Sequence, residues 1–121
     1  MKYQNITHQI IGCCMKVHNE LGPGFQEIIY QRALYLEFLN SQLDFVREKE
    51  IGINYLSKEI GTRRVDFLIE DRVLLEIKAL SCLEDLHLAQ AKNYLEASGL
   101  EVGLLVNFGG LKLEVKRLFG G

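Results

Sequence analysis

The 121-residue sequence has no Trp, one Pro and three Cys, and no apolar run near the roughly 18 residues that a membrane-spanning helix requires. Its opening, "MKYQNITHQI", lacks the basic-then-apolar order of a secretory signal. The expected location is therefore the cytoplasm, with no membrane partner. There is no low-complexity run, and 48% hydrophobic with 25% charged residues is ordinary for a globular chain, which excludes extended disorder away from the ends. The three cysteines are an odd count, and Cys13 and Cys14 adjoin on an apparent helix, where a mutual disulfide would be strained. Together with Cys82 they read as reduced, buried thiols, and a zinc site would need further ligands at metal spacing. A formal net charge of -2 and a pI near 5.9 exclude a protein that binds nucleic acid through overall basicity, leaving only a local patch for that purpose.

What is present is a strong alternation of helical and strand patterns. In "ITHQIIGCCMKVHNEL", Ile6, Ile10, Cys14, Val17 and Leu21 recur every three or four residues, predicting an amphipathic helix that Gly22 and Pro23 end. A second helix is expected over about 24–40. Phe25, Ile28, Ile29, Arg32, Leu36 and Leu39 form one face and Tyr30, Leu34 and Phe38 another, so this helix should be buried on two sides. A strand follows over 44–57, then a turn over Lys58 to Thr62 around Gly61. Two strands, 63–69 and 73–79, flank the turn Glu70, Asp71, Arg72. Residues 83–98 return to helical spacing and stop at Gly99; "EVGLLVNF" reads as a strand buried on both faces, and "LKLEVKRLF" as an alternating final strand. The order α, α, β, β, β, α, β, β predicts one layered α/β domain with a mixed sheet.

The hairpin "RRVDFLIEDRVLLEIKAL" carries an anomaly. If Ile69 pairs with Val73, Asp66 stands opposite Glu76, and Lys78 shares their face, while Val65, Phe67, Ile69, Val73, Leu75, Ile77 and Ala79 make the other face wholly apolar. Opposed carboxylates repel unless a proton, a cation or a metal is shared between them. Lys78 would offset one; a divalent ion would satisfy both, and hard oxygen ligands suit Mg²⁺ or Mn²⁺. A buried Asp–Lys–Glu network with no metal is the competing reading. Glu27, set among Tyr30, Leu34 and Phe38, is a second carboxylate facing an apolar group. His87, Gln90 and Tyr94 form a polar stripe at i, i+3 and i+7 that is either a helix flank or an arm of the same site. His18, alone on an amphipathic helix, is a further candidate for which a structural role is the simpler reading.

These motifs resemble the PD-(D/E)XK nuclease superfamily, and within it the small GxxExxY family. "GPGFQEIIYQRAL" holds Gly24, Glu27 and Tyr30 at the namesake spacing; Asp66, Glu76 and Lys78 stand in the D…ExK order; and "QAKNY" resembles the Q-x-x-x-Y motif of RecB-like exonucleases through Gln90 and Tyr94. Val65 stands where the superfamily's name has Pro. The resemblance covers nearly the whole chain. It implies a three-layer, restriction-endonuclease-like α/β fold over 1–121, with 1–23 as an N-terminal helix and turn and 24–121 as the core. It also implies a Mg²⁺ (or Mn²⁺) site made by Asp66, Glu76, the Ile77 carbonyl and Glu27. Lys78 would act on the attacking water, with Gln90, Tyr94 and Tyr30 positioning substrate. The implied activity is phosphodiester hydrolysis in nucleic acid, DNA being favoured, nonspecific or structure-directed because there is no dedicated sequence reader. Arg63, Arg64, Lys92, Lys112, Lys116 and Arg117 are candidate phosphate contacts, each with a solvated surface charge as its plain reading. A homodimer through the final strand would enlarge the binding surface. The other class of function is a non-catalytic nucleic-acid-binding or protein-interaction module on the same fold.

Overall fold

The structure, a computed structural model, describes residues 2–121. Helix α1 (Gln4–Leu21) buries Ile10, Cys14 and Val17, the expected stripe. It ends where Gly22, at φ +67°, turns its amide back onto the His18 carbonyl at 2.8 Å. After a short turn, α2 (Glu27–Leu39) buries Tyr30, Gln31, Leu34 and Phe38. Then come β1 (Phe45–Tyr55), β2 (Lys58–Ile69), β3 (Val73–Lys78), α3 (Asp85–Ser98), β4 (Val102–Asn107) and β5 (Glu114–Phe119). The five strands make one sheet in sequence order, antiparallel except where β3 and β4 run parallel. Parallel neighbours need a crossover, and α3 supplies it.

The sheet lies between two helical layers. Phe67, Ile69, Val73, Leu75, Ile77, Leu104 and Val106 pack with the buried stripes of α1 and α2. Ile51, Val65, Leu74, Leu105 and Leu118 pack with Ala91 and Leu95 of α3. Every residue of β4 is buried, so its continuous apolar run reflects burial on both faces. A layered α/β domain with a mixed sheet is thus the architecture that the sequence pattern predicted, and its three layers are those that the family resemblance implied.

Four details differ from the sequence-based expectation. The turn before β2 is the two-residue Leu56–Ser57, with φ of +50° and +63°, so β2 begins at Lys58; Gly61 sits within the ladder opposite Ile53, beside a register shift. The outer side of α2 has no layer upon it: Leu36 and Leu39 are 61% and 56% exposed, because the sheet and α1 cover only the inner side. Among the cysteines, Cys14 is buried while Cys82 lies exposed on the surface. Val65 belongs to the α3-side cluster, not to the face of Phe67.

Candidate active site

The displacement of Val65 locates the site. Residues two apart in a regular strand share a face, yet Val65 and Phe67 point to opposite layers. The strand changes face at Asp66, between them. There β2 is unpaired on both sides: its ladder with β3 covers only Phe67 to Ile69, and its ladder with β1 steps from Arg47 opposite Phe67 to Lys49 opposite Val65, skipping Glu48 at φ +57°. Such an irregularity re-aims a side chain. The Asp66 carboxylate turns into the gap, where Oδ2 accepts the Ile77 amide at 2.8 Å and Oδ1 accepts the Gln31 side-chain amide at 2.9 Å.

Glu76, one residue before Ile77, is only 3% exposed. Arg63 donates from Nη2 to its Oε2 at 3.2 Å and lies over the Tyr94 ring at 4.8 Å, joining β2, β3 and α3. Oε1 of Glu76 is buried with no partner among the described residues. Burial, then the Asp66 charge, push the Glu76 carboxyl up to about 7, against the pull of Arg63 and Lys78. Burial also raises Asp66, opposed by its bonds to Ile77 and Gln31. The cation paired with Glu76 is therefore Arg63, whereas Lys78 makes no ion pair among the described residues.

Lys78 instead lines a cleft of about 430 Å³ with Glu27, His87, Ala79, Leu80 and the Gly24–Gln26 turn. Glu27 opens α2, where the helix dipole favours a carboxylate. Partial enclosure of that carboxyl, then the nearby Asp66, raise its pKa, with Lys78 and Arg63 acting the other way. Tyr30 holds the entrance turn: its hydroxyl donates to the Gly22 carbonyl at 2.6 Å and accepts the Phe25 amide at 3.2 Å, and its ring stacks on Phe108 at 4.9 Å. The far wall is fixed by Asn107, fully buried, whose side chain bonds both the amide and the carbonyl of Leu80 at 2.8 and 2.9 Å. Gly109 packs against that wall so closely that a Cβ would overlap the Leu80 backbone.

The remaining candidates lie as follows. His87 is in the cleft wall, its Nδ1 accepting the Glu84 amide at 2.9 Å to cap α3. Tyr94 reaches the carboxylates through Arg63, while Gln90 is exposed on α3. Arg64 faces Glu48 at 3.9 Å on the surface. His18 is away from the cleft, donating from Nε2 to the Gly110 carbonyl at 3.0 Å. Two residues that pattern reading did not single out, Gln31 and Asn107, are buried polar anchors of the site. Gln31 had a legible signal, since it follows Glu27 by four residues and interrupts the apolar group of Tyr30 and Leu34.

The residues suit a hard divalent ion in one respect and not in another. Asp66, half-buried, and the buried, unpartnered Oε1 of Glu76 offer carboxylate oxygens, which Mg²⁺ accepts in ones or twos with water completing its shell. Yet among the described residues no three His, Cys, Asp or Glu side chains form a group that could hold a metal ion, so Glu27 is not part of a preformed three-carboxylate cage.

A mixed sheet between helical layers, with Asp, Glu and Lys gathered where two strands part, defines an α/β protein of restriction-endonuclease-like architecture. A family model of the PD-(D/E)XK nuclease superfamily matches residues 4–118, and the chain belongs to that superfamily, whose members are usually nucleases. No curated protein and no solved structure gives a significant match. Among the described residues, no helix is long and apolar enough to cross a membrane.

Proposed function

We propose that the protein is a Mg²⁺- or Mn²⁺-dependent nuclease of the GxxExxY type, hydrolysing phosphodiester bonds in nucleic acid, with DNA favoured and no sequence-specific reading. The observation that carries this is the meeting of Asp66 and Glu76 at the parting of β2 and β3, with an unpaired buried oxygen on Glu76 and Lys78 lining the adjoining cleft. Asp66, Glu76 and the Ile77 carbonyl would hold the ion, with Glu27 contributing through water. A bound divalent ion would polarise the phosphate and lower the pKa of water. Lys78 orients the attacking water and offsets charge building on the phosphoryl oxygens. Tyr30 sets the turn that presents Glu27, and Tyr94 steadies Arg63. Gln90, exposed on α3, and Arg64, on the surface, would contact the nucleic-acid backbone. The domain spans the whole chain, and pairing of two copies along the β5 edge would extend the surface beyond one small cleft.

A non-catalytic module is the second reading, favoured by the Arg63–Glu76 pair, which already neutralises one carboxylate. Titration of Mn²⁺ into the protein and into Asp66→Asn, alongside cleavage of single-stranded, duplex and branched DNA, separates the two. Asp66-dependent binding with metal-dependent cleavage supports the nuclease; no binding even with DNA present supports the module.

A further inference from the structure

Gln31 sits at the back of the site with an uneven set of contacts. It is 5% exposed, and its Nε2 donates to Asp66 Oδ1 at 2.9 Å. Its Oε1 is buried and meets no donor among the described residues. The amide cannot simply turn over to correct this, because an ionised Asp66 only accepts hydrogen bonds and would repel the amide oxygen. A buried acceptor without a donor costs about 1–3 kcal/mol, so a residue with only a packing role would be better served by an apolar side chain.

Resting on the nuclease reading, we propose that Gln31 is a positioning residue of the metal site: Nε2 fixes the Asp66 carboxylate in its ligating orientation, and Oε1 accepts a hydrogen bond from water held beside Asp66. The second Asp66 oxygen is fixed independently by the Ile77 amide at 2.8 Å. The carboxylate is thereby clamped from α2 and from β3. Such outer partners of a ligating carboxylate typically change metal affinity or activity by 10–100-fold when removed. Glu27 and Gln31 stand one helical turn apart on α2.

The test is calorimetric titration of Mn²⁺ into the wild-type protein and Gln31→Met, a replacement of similar volume with neither donor nor acceptor, with melting temperatures measured in EDTA. The expected result is Mn²⁺ binding weakened about 10- to 100-fold in a variant whose metal-free cooperative melting transition is retained. An unchanged Mn²⁺ affinity with a lowered metal-free melting temperature overturns the proposal and leaves Gln31 a packing residue. A second measurement needs no variant: in the wild-type protein the side-chain amide resonances of Gln31 should shift on Mg²⁺ addition and saturate with the calorimetric isotherm, and resonances that do not move overturn the proposal. Failure of the wild-type protein to bind either ion is a separate outcome that rejects the nuclease reading, and the proposal with it.

Discussion

Replacing Glu76 by Gln tests whether burial, and not the ion pair, dominates the energetics of the site. The carboxyl titrates at an ordinary 4.5 when solvated and at about 7 in the folded protein, burial being the largest cause. A group whose folded pKa is raised stabilises the fold fully below its unfolded pKa and loses that contribution as pH rises through the folded value. At about 1.4 kcal/mol per pH unit, the metal-free protein should lose about 3 kcal/mol from this one group between pH 4.5 and pH 8. Gln, nearly isosteric and neutral throughout, keeps an oxygen for Arg63 but does not titrate. The assay is urea unfolding in EDTA at several pH values, taking the stability of Glu76→Gln minus that of the parent. This difference should rise by about 3 kcal/mol from pH 4.5 to pH 8 at constant m-value. A flat difference, or one that falls with pH, would show that the Arg63 pair outweighs desolvation and that the buried charge is at ease without a metal.

Other expectations address the chemistry and the frame. Lys78→Ala should reduce cleavage by at least about 100-fold while leaving calorimetric Mn²⁺ binding in place, since Lys78 bonds to neither carboxylate; loss of binding as well would make it part of the ion network. Phe67→Ala should cost about 3–5 kcal/mol in urea unfolding, because this fully buried ring meets Phe38 edge-on at 5.0 Å and Phe45 at 6.0 Å. A loss under about 1 kcal/mol would mean that the aromatic cluster recloses around the hole. Gly109→Ala should destabilise the fold, or shift the Ala79–Leu80 wall, read as a lower melting temperature and weaker cleavage at subsaturating substrate, because its Cβ has no room beside the Leu80 backbone.

Hydrophobic spacing alone specified the order of helices and strands and a layered domain with a mixed sheet, since periods of two and of three to four residues report which side of an element meets the core. It also singled out Asp66, Glu76 and Lys78 as charges out of place. It could not supply the details that depend on which elements meet. Gly61 has the same letter in a turn and in a ladder, and only the pairing with β1 distinguishes them. The outer stripe of α2 looked buried because a sequence shows apolarity but not whether a third layer exists to cover it. Regular alternation put Val65 beside Phe67, while the break in both ladders at Asp66 sent them to opposite layers and turned the carboxylate toward Gln31 and Ile77. The choice of Arg63 over Lys78 as partner for Glu76 was likewise three-dimensional, because folding brings Arg63, thirteen positions away along the chain, within 3.2 Å of the Glu76 carboxylate, while Lys78, two positions away, makes no ion pair among the described residues. The sequence by itself determined the order of helices and strands and singled out charges that do not belong in a buried sheet; tertiary structure decided how those charges are aimed and paired, because direction in space is set by contacts between segments that no local pattern records.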